Sequence, residues 1–260
     1  VHKKKVLIII ALCVILIGSA VIAFPFISIY FNDVKMEEEV KTFDKSVVNI
    51  IEDKDHTQLN LDNEGYLLNE KDERISEAPV YTKPDLDRLY RAMQAYNANL
   101  REHQQELLID ESSYVNPCFN LADYGIYNNS IGYISAPAIN MKIPIYLGAN
   151  DYNMEYGATH LTYTSLPLGE IGSNVVLSAH TGYIGRVFFD NLPSLNAGDS
   201  VYIHSFWGTY EYKVVSKEIA ESDDISKLFI NKEKDLLTLI TCHQKSVGVY
   251  NRWILVCERV

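Results

Sequence analysis

From Val6 to Phe31 the chain runs VLIIIALCVILIGSAVIAFPFISIYF, 26 residues without one charge, directly behind Lys3, Lys4 and Lys5. A helix needs about 20 apolar residues to cross a hydrocarbon layer, so this run can span one with some tilt. It is longer than the roughly 7–15 residues of a signal-peptide core and continues past the small residues Gly18, Ser19 and Ala20. The pattern therefore predicts an uncleaved transmembrane signal-anchor over 6–31. The lysines before the run, and Asp33 and Glu37 to Glu39 after it, place residues 1–5 in the cytoplasm and the rest outside.

Residues 32–83 are polar and charge-rich with little sustained periodicity, which reads as a juxtamembrane stalk. Between Pro84 and Ile109, Leu86, Leu89, Tyr90, Met93, Tyr96, Leu100, Leu107 and Leu108 recur mostly at three- and four-residue steps. This predicts an amphipathic helix, with Pro84 in its first turn. Its polar face carries Asp85, Asp87, Glu102 and Glu106 rather than a row of cations, so the helix is expected to pack on a domain and not on a membrane surface.

From Asn129 onward the chain changes to short β-branched and aromatic runs separated by Gly, Pro, Asn and Asp. The runs are 131–135, 141–147, 174–179, 200–206, 209–216, 236–241 and 253–258, several with period two. Seven short strands with few helical patterns between them predict a mainly β domain over 129–260, a barrel or a sandwich. Residues 84–128 form its leading helix and a connecting region.

Charge narrows the partners. Beyond Phe31 there are 20 basic and 34 acidic residues, a formal charge of −14. Nucleic acid is therefore not an expected partner, because phosphate binding needs a basic footprint. No cluster of His, Cys, Asp and Glu has ligand spacing, so neither a metal nor another cofactor is expected.

Outside the apolar run the cysteines are Cys118, Cys242 and Cys257, an odd number for a disulfide framework, so at least one thiol is free. Whether Cys118 and Cys257 pair is left open. Cys257 reads as a small hydrophobe in the strand Trp253 to Cys257. Cys242 instead ends the strand Leu236 to Thr241 where a polar turn follows, a position that holds a thiol firmly and leaves it reachable. A nucleophilic thiol needs a proton-transfer partner and a donor for the developing oxyanion.

Among the seven histidines, His180 mirrors that placement, following the apolar strand Val175 to Ala179 and preceding Thr181-Gly182. His243 adjoins the thiol, but neighbours on extended chain point to opposite faces. His204 lies within a strand and reads as structural. His160 either lines a site or caps a turn. Arg252, ten residues after Cys242, could donate hydrogen bonds to a substrate carbonyl without changing protonation state.

Thr238-Leu239-Ile240-Thr241-Cys242, with a histidine 62 residues upstream and an arginine ten downstream, resembles the TLxTC signature of sortases. Gly132-Tyr133-Ile134, Pro144-Ile145-Tyr146, Ser165-Leu166-Pro167, Ser178-Ala179-His180 and Phe188 to Leu192 are similar to the pilin-polymerising class C branch. The resemblance covers roughly residues 95 to 260. It implies a closed eight-stranded β-barrel with short helices, behind the amphipathic and transmembrane helices. It further implies Cys242 as nucleophile, His180 as general acid and base, Arg252 as oxyanion ligand, and His160, Thr241 and Ser178 as substrate-binding candidates.

The implied reaction is cysteine transpeptidation. The thiol cleaves an LPxTG-like sorting signal between Thr and Gly, a thioester forms, and an amine resolves it. The expected amine is a pilin lysine in pilus assembly; the alternatives are a cell-wall precursor, as in housekeeping sortases, or a catalytically inactive membrane-anchored binding module. The implied location is the outer face of a Gram-positive membrane, the lipid being engaged through residues 6–31. Class C chains usually carry an Asp-Pro-aromatic lid. The matching segment here has Asn116, Pro117 and Phe119 around Cys118, so the lid motif is atypical or missing. A papain-like peptidase is disfavoured, because there the cysteine precedes the histidine.

Overall fold

The computed structural model describes residues 2–52, 69, 71, 73–74, 85–109, 111–127 and 130–260. Eight strands close into a barrel: β1 (Ser130–Ala136), β2 (Met141–Leu147), β3 (Ala158–His160), β4 (Ser173–Ser178), β5 (Ser200–Ser205), β6 (Gly208–Ala220), β7 (Asp235–Ser246) and β8 (Val249–Arg259). Around the barrel their order is β1, β2, β3, β4, β7, β8, β6, β5. The pairs β2–β3 and β4–β7 are parallel, and the others are antiparallel.

Seven of these strands coincide with the hydrophobic runs. The eighth, β3, has only three residues, all buried. So short a stretch cannot display a period of two, and its existence is dictated by the parallel ladder to β2 rather than by local pattern. Val175, Leu177, Leu237 and Leu239 fill the barrel interior with Tyr212 and Leu255. On the opposite face of the same two strands, Val176 and Ile240 join Leu161, Leu228 and Leu108 in a second apolar cluster. This leaves β4 buried on both sides, which accounts for the apolar run Val175 to Leu177 at its centre.

Among the described residues, two α-helices precede the barrel. α2 (Leu86–Leu107) begins at Asp85, whose carboxylate accepts from the Arg88 amide at 3.0 Å. It buries Leu89, Met93, Asn97, Leu100 and Gln104, one face at three- and four-residue steps. Asn97 clamps the β3–β4 connection, donating to the Leu166 carbonyl at 3.0 Å and accepting from the Leu166 amide at 2.8 Å. Pro84, assigned from sequence to this helix, lies outside the described residues.

α1 (His2–Glu52) contains the apolar run and continues well beyond it. Where the sequence suggests a stalk, residues 33–52 are helical and part of them is docked on the barrel. Val40 and Phe43 are buried, and Met36 and Val47 pack beside them. Phe43 meets the rings of Phe206 at 4.7 Å and Tyr133 at 6.0 Å between centroids. The stripe 36, 40, 43, 47 is one residue wide within a charged segment, and so is easily missed. The remaining stalk residues, 53–68, 70, 72 and 75–83, lie outside the described residues, as do 110, 128 and 129.

Candidate active site

The β7–β8 ladder places Cys242 directly opposite Arg252. Cross-strand partners on one face lie within side-chain reach, and the Arg252 Nη1 donates to Cys242 Sγ at 3.2 Å. The parallel β4–β7 ladder pairs Ser178 with Ile240, and the Ala179 amide donates to the Ile240 carbonyl at 3.3 Å. β4 ends at Ser178, and two residues further on His180 lines the same cavity as Cys242. Thr241 secures the approach, its hydroxyl donating to the Ala179 carbonyl at 2.8 Å.

Cys242, His180 and Arg252 line one cavity of about 470 Å³. All three are half-buried. The remaining wall is mainly apolar, from Met154, Leu161, Leu228, Ile240 and Ile254, with Ser178, Ser222 and Asp224 as polar points. Burial holds the His180 imidazole below its ordinary pKa, while the carboxylates Asp151 and Glu155 oppose that shift. The ring stacks on Tyr183 with centroids 4.9 Å apart, and the Tyr183 hydroxyl donates to Glu155 at 3.3 Å. Asp190 closes the loop that carries His180, accepting from the Gly182 amide at 2.7 Å and the Phe188 amide at 2.9 Å.

The other candidates sit differently. Ser178 lines the cavity; Thr241 is buried beneath it. His160 does not line it. It is fully buried, with Nε2 facing the carbonyls of Ser165 at 3.0 Å and Thr164 at 3.2 Å. Its position in β3 turns the ring toward the β3–β4 loop, so it braces that loop. His204 bridges Ser135 and Thr209 at 3.0 Å each and stacks on Tyr133, away from the cavity. His243 faces Trp253 instead.

The connection between α2 and β1 supplies one wall, but through other residues than expected. Ser112, Tyr114 and Val115 line the cavity; Asn116, Pro117 and Phe119 do not. The segment is tied to the barrel. The Ala149 amide donates to the Tyr114 carbonyl at 3.0 Å, and Thr162 donates to the Asn116 carbonyl. Phe119 turns instead against Tyr96 and Tyr124. Sequence reasoning missed the wall because it looked for a motif, whereas the contacts come from backbone carbonyls and from an apolar pair, Tyr114 and Val115.

All four cysteines are free thiols. Burial pushes the Cys118 and Cys257 thiols up to about 12, so neither is a nucleophile near neutral pH. Cys242 is half-buried and meets a guanidinium.

Comparison with known proteins bears on this arrangement. The sortase-domain family model matches residues 134–260. Sortase D of Bacillus subtilis is 30% identical over 131 residues, covering 50% of this chain and 63% of that protein, so the chain spans less than two thirds of that relative's length. Sortase C-1 from Streptococcus pneumoniae shares the fold, with a TM-score of 0.64, 23% identity, and coverage of 86% of this chain and 98% of that one. Sortase C2 from pilus island 1 of Group B Streptococcus superposes with a TM-score of 0.59 at 30% identity, over 68% of this chain and 97% of that one. With that identity across nearly all of a solved sortase, and a domain match that runs through β4, β7 and β8, the chain belongs to the sortase family.

Proposed function

We propose that the protein is a membrane-anchored cysteine transpeptidase that joins an LPxTG-like sorting signal to an amine, that of a pilin lysine. The observation that carries this reading is the contact between Arg252 and the Cys242 thiol in the cavity that His180 also lines. His180 takes the thiol proton as sulfur attacks the threonine carbonyl carbon, and Arg252 donates to the oxyanion. The Thr-Gly bond then breaks, the proton passes from His180 to the glycine amine, and a thioester remains. An amine attacks the thioester, His180 accepts its proton, and the Cys242 thiol is restored. The apolar wall of Met154, Leu161 and Ile254 suits the leucine and proline of such a signal.

The pilus assignment is supported by the likeness to a pilus-island sortase C. The signal-anchor is supported by the apolar part of α1, whose side chains from Ile9 to Phe31 are largely exposed. A test uses the full chain in detergent with a fluorescent LPxTG-type peptide. Thioester and transfer products are expected from the parent and neither from Cys242→Ala; acyl transfer by the Cys242→Ala protein overturns the assignment. With a pilin lysine peptide and a cell-wall peptide in competition, mass spectrometry should find the lysine-linked product. Exclusive use of the wall peptide would point to surface-protein attachment.

A further inference from the structure

The loop that follows β4 carries His180 at its start and then turns toward α1. Asn32 donates its side-chain amide to the Gly185 carbonyl at 2.7 Å, and a Cβ added at Gly185 would collide with the Ser28 side chain. Ser28 lies inside the uncharged run, three residues before its end at Phe31. At 1.5 Å per residue that is about 4.5 Å into the apolar segment. A helix that enters a bilayer at this level carries the loop down with it.

The loop is suited to that place. Ile184, beside Gly185, is 79% exposed and touches no core. The amides of Gly182, Arg186, Phe188 and Phe189 are already bonded to acceptors within the loop, so shallow immersion strands none of those four. Tyr156 and Tyr183 flank it, with Lys35 4.8 Å and Arg186 5.1 Å from the Tyr156 ring centre, an aromatic and cationic fringe of the kind found at membrane–water interfaces.

We propose that residues 182–186 form a membrane contact, with Ile184 seated in the interfacial layer of the lipid bilayer beside α1, so that the His180 side of the catalytic cavity opens at the membrane surface. The occupant of this face is lipid, because the apolar segment of α1 runs continuously into it. The inference rests on reading residues 6–31 as a membrane anchor, and its consequence is that substrates are processed as they leave the bilayer.

The test adds one tryptophan at a time to the full chain, reconstituted in phosphatidylcholine vesicles with or without brominated acyl chains. The parent, with Trp207 and Trp253, gives the baseline. Ile184→Trp is expected to add fluorescence that is blue-shifted and quenched by the brominated lipid, and Val21→Trp to add fluorescence quenched more strongly. If the tryptophan at 21 is quenched and the one at 184 emits as in water, the loop contact is overturned and the anchor stands. If neither is quenched, the anchor fails and the loop contact with it. The readout does not involve acyl transfer, so neither outcome depends on the transpeptidase assignment.

Discussion

Arg252 reaches Cys242 straight across the β7–β8 ladder, and a lysine there would keep the charge but lose the planar donor fork. Removal of one oxyanion donor typically costs about 10²–10³ in turnover. Arg252→Lys should therefore lose at least about 10²-fold in peptide cleavage with an unchanged melting temperature; activity within threefold of the parent would remove Arg252 from the reacting centre. His160 makes the opposite kind of prediction, for stability alone. Burial lowers its pKa to about 4 from an ordinary 6.5, the facing carbonyls only partly offsetting this. The unfolded chain therefore takes up the proton first. The stability that this group supports is complete above pH 6.5 and is lost as pH falls toward 4, by about 3 kcal/mol in the limit. Burial shifts His180 and His204 in the same direction. Urea midpoints measured across this window should fall with acidification and fall less steeply in His160→Gln; parallel curves would exclude His160 as a source. Cys242 and His180 stand out in sequence because each follows an apolar run, although β7 continues past Cys242 to Ser246 and so does not end where the run ends, and Arg252 stands out only through its spacing in the family signature. The role of His160 was not legible, since what fixes it is the path of the β3–β4 loop around its ring.

At the scale of elements, the barrel was legible wherever a strand was long enough to alternate, and β3 escaped because three residues carry no period. The docked half of α1 escaped because its stripe of Met36, Val40, Phe43 and Val47 is thin among charges. The apolar part of α1 supplies the nucleus for this segment, and the contact with β1 and β2 adds the tertiary packing from which most helix stability comes. Replacing a packed phenylalanine by alanine costs about 3–5 kcal/mol. In Phe43→Ala the amides of 33–47 should exchange faster while those of β4, β7 and β8 keep their protection; uniform loss across the barrel would mean that α1 is part of its cooperative core. The wall formed by Tyr114 and Val115 is equally testable. Gly148 has φ 82°, and a Cβ there would lie 2.6 Å from the Pro117 nitrogen and 2.7 Å from the Val115 carbonyl oxygen. Gly148→Ala should lift 115–117 and speed alkylation of Cys242 by a bulky maleimide, read by peptide mass spectrometry. An unchanged rate would show that this segment does not control access.

The whole molecule carries its charge unevenly. Beyond the apolar run 20 basic residues face 34 acidic ones, and Asp224 lies in the wall of the catalytic cavity while Asp151 and Glu155 act electrostatically on His180. Arg252 is a cation in that wall, but the carboxylates in and around it outnumber it, and an excess of one sign of charge beside apolar walls concentrates ligands of the other sign, raising association rates by about 10–10³. Under the proposed reaction with a lysine acceptor, the beneficiary is the cationic amine, which must arrive before water hydrolyses the thioester. Such steering weakens as the screening length shrinks from about 10 Å at 0.1 M salt to about 3 Å at 1 M. Transfer to a lysine peptide should therefore slow by about tenfold between low and high salt, while transfer to hydroxylamine, neutral at pH 7, should hold nearly constant. Asp224→Asn protein should show a flatter salt dependence with lysine and an unaltered rate with hydroxylamine. If both acceptors slow in parallel, salt acts on the fold or on the sorting signal, and the acidity of the outer region has no part in choosing the amine.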